Sequence, residues 1–497
     1  MNIALPREIV KIAITVLSQI GIKDFEELEE KVYALIMAIG REIMAAILEI
    51  RDLQIMAERD EKRYRSKGLR KGCIRTKMGE VEYRRRVYQD LESIEEEKAK
   101  SVYLLDEELQ IKKIGRVSAG VCKMAAHAVS GTSYRESAKR ISEQTGERIS
   151  HQALWNLIQV IGSKLDAQDE RNAELDEAGA GRGEIETKIL YEENDGIWIS
   201  LQGKSRKENS RSKEMKVGIT YDGVQWIVNK AGKKRRILNT KTAIAGFMPI
   251  EQYRRKKEGQ IGSVFKKSSV ELRVVNGDGG SWTLPKQNPG KICVLDEYHR
   301  NKKITECVRD KGFAKTLRKL LYENRIEDVL NCIEGQINSV TDEEEIKKLE
   351  ELQNYYRENK DVLKGYYDRG IAIPETREPG TIHHAQLGSM ESNIFTLIGN
   401  RMKGRRACWS IQGGNHMASI LCAYHTTGLE NIFAELPEVP DLPEEEEWID
   451  EGRPLSASQI PDRIGVGYEY PKNVSTTNYS QILRKVSSFV ALSDLSL

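Results

Sequence analysis

Residues 188–203 read KILYEENDGIWISLQG. This is the pattern of a strand, in which Asp195 follows an apolar run and precedes Gly196. Working outward, EMKVGITYDGVQWIVN (214–229) and KTAIAGFMPI (241–250) give a second and a third strand. SVELRVVNGDGGSW (269–282) gives a fourth and KICVLDEYH (291–299) a fifth. Polar turns separate them, and Tyr221-Asp222-Gly223 reads as one such turn. Residues 300–372 are charged and helical, and GSMESNIFTLIGNRMKGRRACW (388–409) starts a helix near Ser389. An α/β unit over 185–432 with a helical insertion at 300–372 follows. The polar stretch 166–184 ends in GAGRG with no strand before it, so it reads as a linker and not as a dinucleotide loop.

Upstream, the texture is helical. From residue 6 to about 60, Val32, Ile36, Ile39, Ile43, Ile47 and Ile50 recur at steps of three and four. This stripe is read as the core-facing side of a long helix, with packing on a second copy as the alternative. Residues 61–100 form a different module, in which Gly68, Gly72 and Gly79 punctuate short alternating segments. From Lys62 to Arg86 it carries eleven Lys or Arg against two Glu, a stripe that favours a polyanion. Lys67, Arg70, Lys71, Arg84, Arg85 and Arg86 are its candidate phosphate contacts. Residues 101–165 return to helix and contain TSYRESAKRISEQTGERISHQALWNLIQVIG. Ser133 opens one helix with Ala138 and Ile141 inward, Gly146 breaks it, and Ser150 caps a second bearing Leu154, Trp155, Leu157 and Ile158. That is a helix-turn-helix pattern. In its DNA-binding form the second helix enters the major groove, making His151, Gln152 and Asn156 candidate base readers; the plain alternative is a helical hairpin.

Bulk properties narrow the class. The chain has 497 residues, 39% hydrophobic and 31% charged, a composition that supports a sizeable core. It contains no run of 18 apolar residues and opens on MNIALPREIV, which lacks a signal-peptide core, so a cytoplasmic protein without a membrane span is expected. Seven cysteines without a CxxC pair read as reduced thiols. Ten acidic and no basic residues between Glu430 and Glu451 mark an acidic tail from 433 to 497.

Three acids sit at the edges of apolar elements: Asp195, Asp278 in VVNGDGG, and Glu391 in SMESN. Carboxylates of this kind suit magnesium or manganese, which take oxygen ligands together with water and substrate phosphates. Two such ions can stabilise the attacking and leaving oxygens of an in-line phosphoryl displacement. Asp-Gly is equally a turn dipeptide, so each acid singly fits a turn or cap. Trp409 reads as core, Trp282 is ambiguous, and His383-His384 is too little for a zinc site. The chain has no phosphate-binding GxxxxGK[ST] loop, no GxSxG elbow and no HExxH.

YRESAKRISEQTG, ENDGIWI, KVGITYDG, NGDGGSW, LDEYH and ESNIFTLIGNRMKGRRACWSIQGG, in that order over about 133–425, resemble bacterial insertion-sequence transposases of the ISLre family. These are related to Mutator-like DDE transposases and are often filed as an uncharacterised family. The resemblance implies a ribonuclease-H-like core preceded by mostly helical DNA-binding regions. In such cores the first Asp lies on the first strand, the second just after the fourth, and the Glu on a later helix. Asp195, Asp278 and Glu391 fall in those places, and 300–372 matches an all-helical insertion between the second Asp and the Glu. Asp296-Glu297-Tyr298-His299 matches a (Cys or Asp)-x-x-His element, giving His299 a role beside the active site. On the helix after Glu391 and just beyond it, Asn393, Arg401, Lys403, Arg405 and Arg406 are candidate DNA contacts. The implied activity is metal-dependent cleavage at element ends and strand transfer into target DNA, with two Mg2+ or Mn2+ ions, double-stranded DNA as partner and a homo-oligomer as the working form. The alternatives are a domesticated, non-cleaving DNA-binding protein and, more distantly, a glycoside hydrolase, against which the 6% aromatic content and the basic patches argue.

Overall fold

In a computed structural model the chain is described over residues 22–426, apart from 96, 97, 231 and 285–289, and at 14, 15 and 18. Most of the expected helix before residue 22, and the acidic tail, lie outside the described residues. The chain divides at Val160/Ile161 into two compact units.

The first unit begins with α1 (Phe25–Glu58), capped where Asp24 accepts the Glu27 N–H at 2.9 Å. Leu48 and Ile55 of α1 pack against the hairpin of β1 (Tyr64–Thr76) and β2 (Gly79–Glu95), meeting Ile74, Val81 and Tyr83. Thr76 pairs with Gly79 around a two-residue turn, and Gly79 sits at φ +102°, a conformation that glycine tolerates. Strands β3 (Lys98–Val102), β4 (Lys113–Ile114) and β5 (Val117–Ser118) complete a sheet ordered β3-β2-β1-β5-β4, with α2 (Leu104–Glu108) between β3 and β4. Helices α3 (Ala119–Gly131) and α4 (Tyr134–Thr145) follow, and then α5 (His151–Glu177), whose residues from Ile161 on belong to the second unit.

Three readings of this region change. Ile36, Ile43, Ile47 and Ile50 are exposed, so the isoleucine stripe is not the face that packs on the unit. Arg85 and Arg86 do not belong to the open cationic surface. The buried Arg85 guanidinium pairs with Asp106 and lies 4.0 Å from the Tyr103 ring centroid, while Arg86 pairs with buried Asp52. Lys67, Arg70, Lys71 and Arg84 are exposed. Finally, α5 continues to Glu177, so only the residues from Ala178 onward connect it to the next strand. The helix-turn-helix elements form as read: Ser133 caps α4, Gly146 ends it at φ 69°, and Ser150 Oγ accepts the Ala153 N–H at 3.0 Å. Trp155, however, faces outward, 39% exposed.

The second unit is built on a five-stranded sheet. Strand β6 (Ile189–Ser200) leads through α6 (Gly203–Asn209) to β7 (Ser212–Tyr221), then to a small ribbon of β8 (Val224–Val228) and β9 (Lys234–Leu238), and back through β10 (Thr242–Gly246). After α7 (Ile250–Val264) come β11 (Leu272–Gly277) and β12 (Lys291–Leu295). The order is β10-β7-β6-β11-β12. Strand β7 is antiparallel to β6 and β10, whereas β6, β11 and β12 are parallel. Strands β10 and β12 are nearly continuous buried runs, whereas β6 carries the buried polar residues Glu192, Glu193 and Asn194 and alternates between buried and exposed after Ile197. Asp222 is no exposed turn tip: it is buried, accepting from Asn239 at 2.7 Å and from Arg377 at 3.1 Å.

Helices α8 (Glu297–Cys307), α9 (Lys311–Tyr322), α10 (Ile326–Ser339) and α11 (Glu343–Glu358) form the insertion. Their core, with Leu317, Ile333 and Leu352, is continuous with Val275, Cys293 and Leu295 of the sheet. The chain returns through α12 (Met390–Ile394), a π-helical turn at Phe395–Gly399 and α13 (Asn400–Met402), and ends its described course in α14 (Ile411–His425). Trp409 is buried, its indole N–H donating to the Met402 carbonyl at 3.0 Å, which makes it core as expected.

Candidate active site

The parallel ladder of β6 and β11 ends with Glu193 opposite Asn276. Two residues further along each chain come Asp195 and Asp278. Neighbouring strands lie about 4.8 Å apart, so this register brings the two acids to one edge of the sheet. Asp195 is inside β6 and not at its end, since the strand runs on to Ser200 paired only with β7 on one side. Asp278 follows β11 in a tight turn, its Oδ1 accepting the Gly280 N–H at 3.0 Å and the Thr283 hydroxyl. Glu391, exposed, opens α12.

The electrostatics record this convergence. Burial pushes the Asp195 carboxyl up to about 6, and the charges of Asp278 and Glu391 push the same way; the Gly196 N–H and His299 partly offset them. Asp195 therefore lies within the field of both Asp278 and Glu391. Asp195, His299, Glu391, Asn276, Gly277 and Asp296 line one small cleft. His299 is fixed through Asp296, which caps α8 by accepting the His299 N–H at 3.1 Å and meets His299 Nδ1 at 3.1 Å. That hydrogen bond, with the nearby charges of Asp195 and Asp278, raises the His299 pKa above its usual value.

One buried acid that sequence reading passed over organises these segments. Glu193 Oε1 accepts the Tyr221 hydroxyl at 2.6 Å. Its Oε2 accepts the backbone N–H groups of Gly388 and Met390 at 3.0 and 3.1 Å and the Asn276 amide at 3.2 Å. The same Asn276 amide donates to Asp296 at 2.9 Å. Glu193 thus ties the strand of Asp195 to the segment that presents Glu391, and through Asn276 to the mount of His299. Arg236 of β9 holds that segment from the other side, donating to the Gln386 carbonyl at 3.2 Å and to Ser389 Oγ at 3.0 Å.

The donor set suits a hard divalent cation: the Asp195 carboxylate, on which the charges of Asp278 and Glu391 both act, with the Asn276 amide oxygen buried in the cleft wall and lacking a hydrogen-bond partner. As the side chains stand, no three His, Cys, Asp or Glu groups among the described residues are close enough to share one ion. Binding one ion would require the three carboxylate side chains to draw closer together. His384 Nδ1 meets the Tyr191 hydroxyl at 3.0 Å.

The remaining candidates fall into separate places. Asn393 donates to the Ser389 carbonyl at 2.8 Å and accepts from Lys241 at 3.1 Å, so it braces the helix that carries Glu391. Arg401 stacks over Trp409 at 5.0 Å. Lys403 and Arg406 are exposed just past α13, and the Arg405 side chain lies outside the described set. His151 and Gln152 are exposed in the first unit, where Gln152 donates to Asn156 at 3.0 Å. Among the described residues no helix is long and apolar enough to cross a membrane.

A family model described as an uncharacterised protein family, UPF0236, matches residues 20–434. A UPF0236 protein in the vanSb 3′ region of Streptococcus gallolyticus is 21% identical over 438 residues, covering 84% of this chain and 88% of its own length. A UPF0236 protein of Caldanaerobacter subterraneus subsp. tengcongensis is 26% identical over 401 residues, 78% of this chain and 79% of its own. Another from that organism, named under four locus designations, is 26% identical over 399 residues and covers 78% of each chain.

Proposed function

This chain belongs to the uncharacterised protein family UPF0236, and from its site we propose that it is a DNA transposase, cleaving element ends and joining them to target DNA by metal-dependent, in-line phosphoryl displacement. The observation that carries the reading is the placing of Asp195 on a strand, Asp278 in the turn after its parallel neighbour and Glu391 on a helix beyond an all-helical insertion, with Asp278 and Glu391 near enough to push up the Asp195 pKa. That arrangement supports the ribonuclease-H-like core implied by the resemblance to ISLre-family transposases. A relative named under four locus designations in one organism fits a gene that multiplies within a genome, as a mobile element does.

Asp195, Asp278 and Glu391 would hold Mg2+ or Mn2+, in a two-ion arrangement. Bound there, the cations would polarise the scissile phosphate and lower the pKa of the attacking water or 3′-hydroxyl. The protein's own groups do the rest. His299, oriented by Asp296 and biased toward its cationic form, is placed to donate to a phosphate oxygen at the cleft. Lys403 and Arg406 offer exposed charge for the strand backbone just past α13. Glu193 keeps the Glu391 segment in register with Asp195. No covalent intermediate on the protein is required.

A non-cleaving DNA-binding protein is the second reading, and the open spacing of the three carboxylates favours it. The deciding experiment is a cleavage assay on labelled DNA bearing the flanking ends of this gene's element, with Mg2+ or Mn2+ and with chelator. Metal-dependent nicking at the boundary that disappears in Asp278→Ala supports the transposase. Tight binding by folded protein without nicking would replace it with the second reading.

A further inference from the structure

Helix α1 has two apolar faces, and its own unit uses one of them. Leu48 and Ile55, with Met44 and Ala45 beside them, pack on the β1–β2 hairpin. On the other side Ile36, Ile43 and Ile50 stand seven residues apart, and Phe25, Ile39 and Leu53 occupy the alternate positions of the same heptad. A 3.5-residue repeat is the seam of a helix that pairs with another helix along its length. Within the described residues most of this seam is open, with Phe25 77% exposed, Ile36 61% and Leu53 56%, while Ile39 is half-buried. Ile47 widens the strip, and beside it the Tyr33 hydroxyl donates to the Gln144 carbonyl at 2.5 Å.

We propose that this face of α1 is a dimerisation surface and that its occupant is α1 of a second copy of the chain. The argument for a copy over another partner is periodicity and area. Every copy brings a helix with the same heptad repeat, so the seam is complementary to itself under two-fold symmetry. Seven exposed or half-exposed apolar side chains at roughly 100 Å² each expose about 700 Å² per helix, close to what one partner contributes to a standard stable interface. The 34-residue helix is long enough to sustain such pairing over several heptads.

The test is sedimentation velocity on the full chain between about 1 and 50 μM. A species of twice the 56.5 kDa chain mass is expected. In Ile43→Glu/Ile50→Glu the charges would be buried in the seam, and the dissociation constant should rise at least about a hundredfold. Its circular dichroism should match wild type, because neither side chain supports the fold of its own unit. If the double variant does not fold, Ile36→Ser read in the same way decides the matter. A wild-type chain that stays monomeric at 50 μM overturns the proposal; this is the outcome if residues before 22 or after 426 cover the face within one chain. Variants that remain dimeric overturn it equally, since the interface would then lie elsewhere.

Discussion

Asp195 and Glu193 share a strand face two residues apart, and their surroundings give them opposite work. Glu193 is wholly buried and saturated with donors; Asp195 opens on the cleft and is left beside two other acids. Because the Asp195 pKa is raised in the folded state, the stabilising form is the protonated one. That contribution is complete below the unfolded value near 3.8 and is lost as the pH rises through about 6. Above pH 6 the ionised carboxylate is a cost, so Asp195→Asn should unfold at a higher temperature than wild type at pH 8, by about 1–2 kcal/mol after discounting for solvent screening, while losing nicking. The pH dependence of metal binding has the opposite sense, because the ligand must be ionised. Manganese affinity, followed by calorimetry, should weaken as the pH drops through 6. Affinity that stays flat from pH 8 to pH 5 would remove Asp195 from the metal site. In Glu193→Gln only one oxygen remains, so either the Gly388 and Met390 N–H groups or the Tyr221 hydroxyl loses its carboxylate acceptor. Nicking should drop about 10- to 100-fold with Mn2+ affinity reduced in parallel, the usual cost of losing a residue that orients ligands. Full activity in a folded Glu193→Gln variant would show that the Glu391 segment needs no such tie. The acids at 195, 278 and 391 stood out in the sequence because glycine or a helix start adjoins each. Glu193 did not, since in YEEND it is one acid among neighbours and only tertiary contacts distinguish it.

At the scale of elements, what could be read depended on whether inward residues were apolar. Strands β10, β11 and β12 are largely buried and announce themselves by apolar residues, while β6 and β7 do so through the apolar segments that flank their polar ones. The helical insertion and the caps at Ser133 and Ser150 were readable for the same kind of local reason. Helix α7 was not, because the side chains it turns inward include Lys256 and Lys257. Lys257 donates to Asn194 at 2.6 Å and pairs with Glu192 at 2.9 Å, and Lys256 pairs with Asp166. Burial alone would raise the Glu192 pKa; Lys257, Arg273 and Lys291 hold it well below its usual value instead. Strand β9, KRRIL, was missed because its charge masks the alternation. The isoleucine stripe of α1 shows a further limit: periodicity identifies an apolar face but not what covers it. Close approach is equally silent in sequence. A Cβ on Gly259 of α7 would lie 2.4 Å from the backbone nitrogen of Ala173 in α5. Gly259→Ala should therefore destabilise the second unit by about 1–3 kcal/mol despite the better helix propensity of alanine, measurable by denaturant unfolding. A neutral or stabilising result would mean the two helices can separate without loss.

At the scale of the whole molecule, charge and chemistry are segregated along the chain. The open cations of the hairpin, Lys67, Arg70, Lys71 and Arg84, belong to the first unit, and the carboxylates belong to the second. A net charge of +2 conceals that division. If the hairpin holds DNA by its phosphates, each neutralised contact releases counterions, and affinity falls with salt at a slope set by the number of contacts. Replacing those four residues together by alanine should weaken binding to any duplex and flatten the plot of log affinity against log salt by up to about 3–4 units. Manganese binding at the carboxylates should be untouched. Arg85→Ala and Arg86→Ala should behave differently: each breaks an internal ion pair, so the loss should be seen in stability and not in the salt slope. Asp278→Ala is the converse, with DNA affinity retained and cleavage abolished. The four sets measured side by side by fluorescence anisotropy, melting and nicking separate grip from cutting. Should the quadruple variant keep the wild-type salt slope, the basic hairpin would be a solvated face, and the DNA contacts would have to be sought on the exposed residues of α5 or past α13.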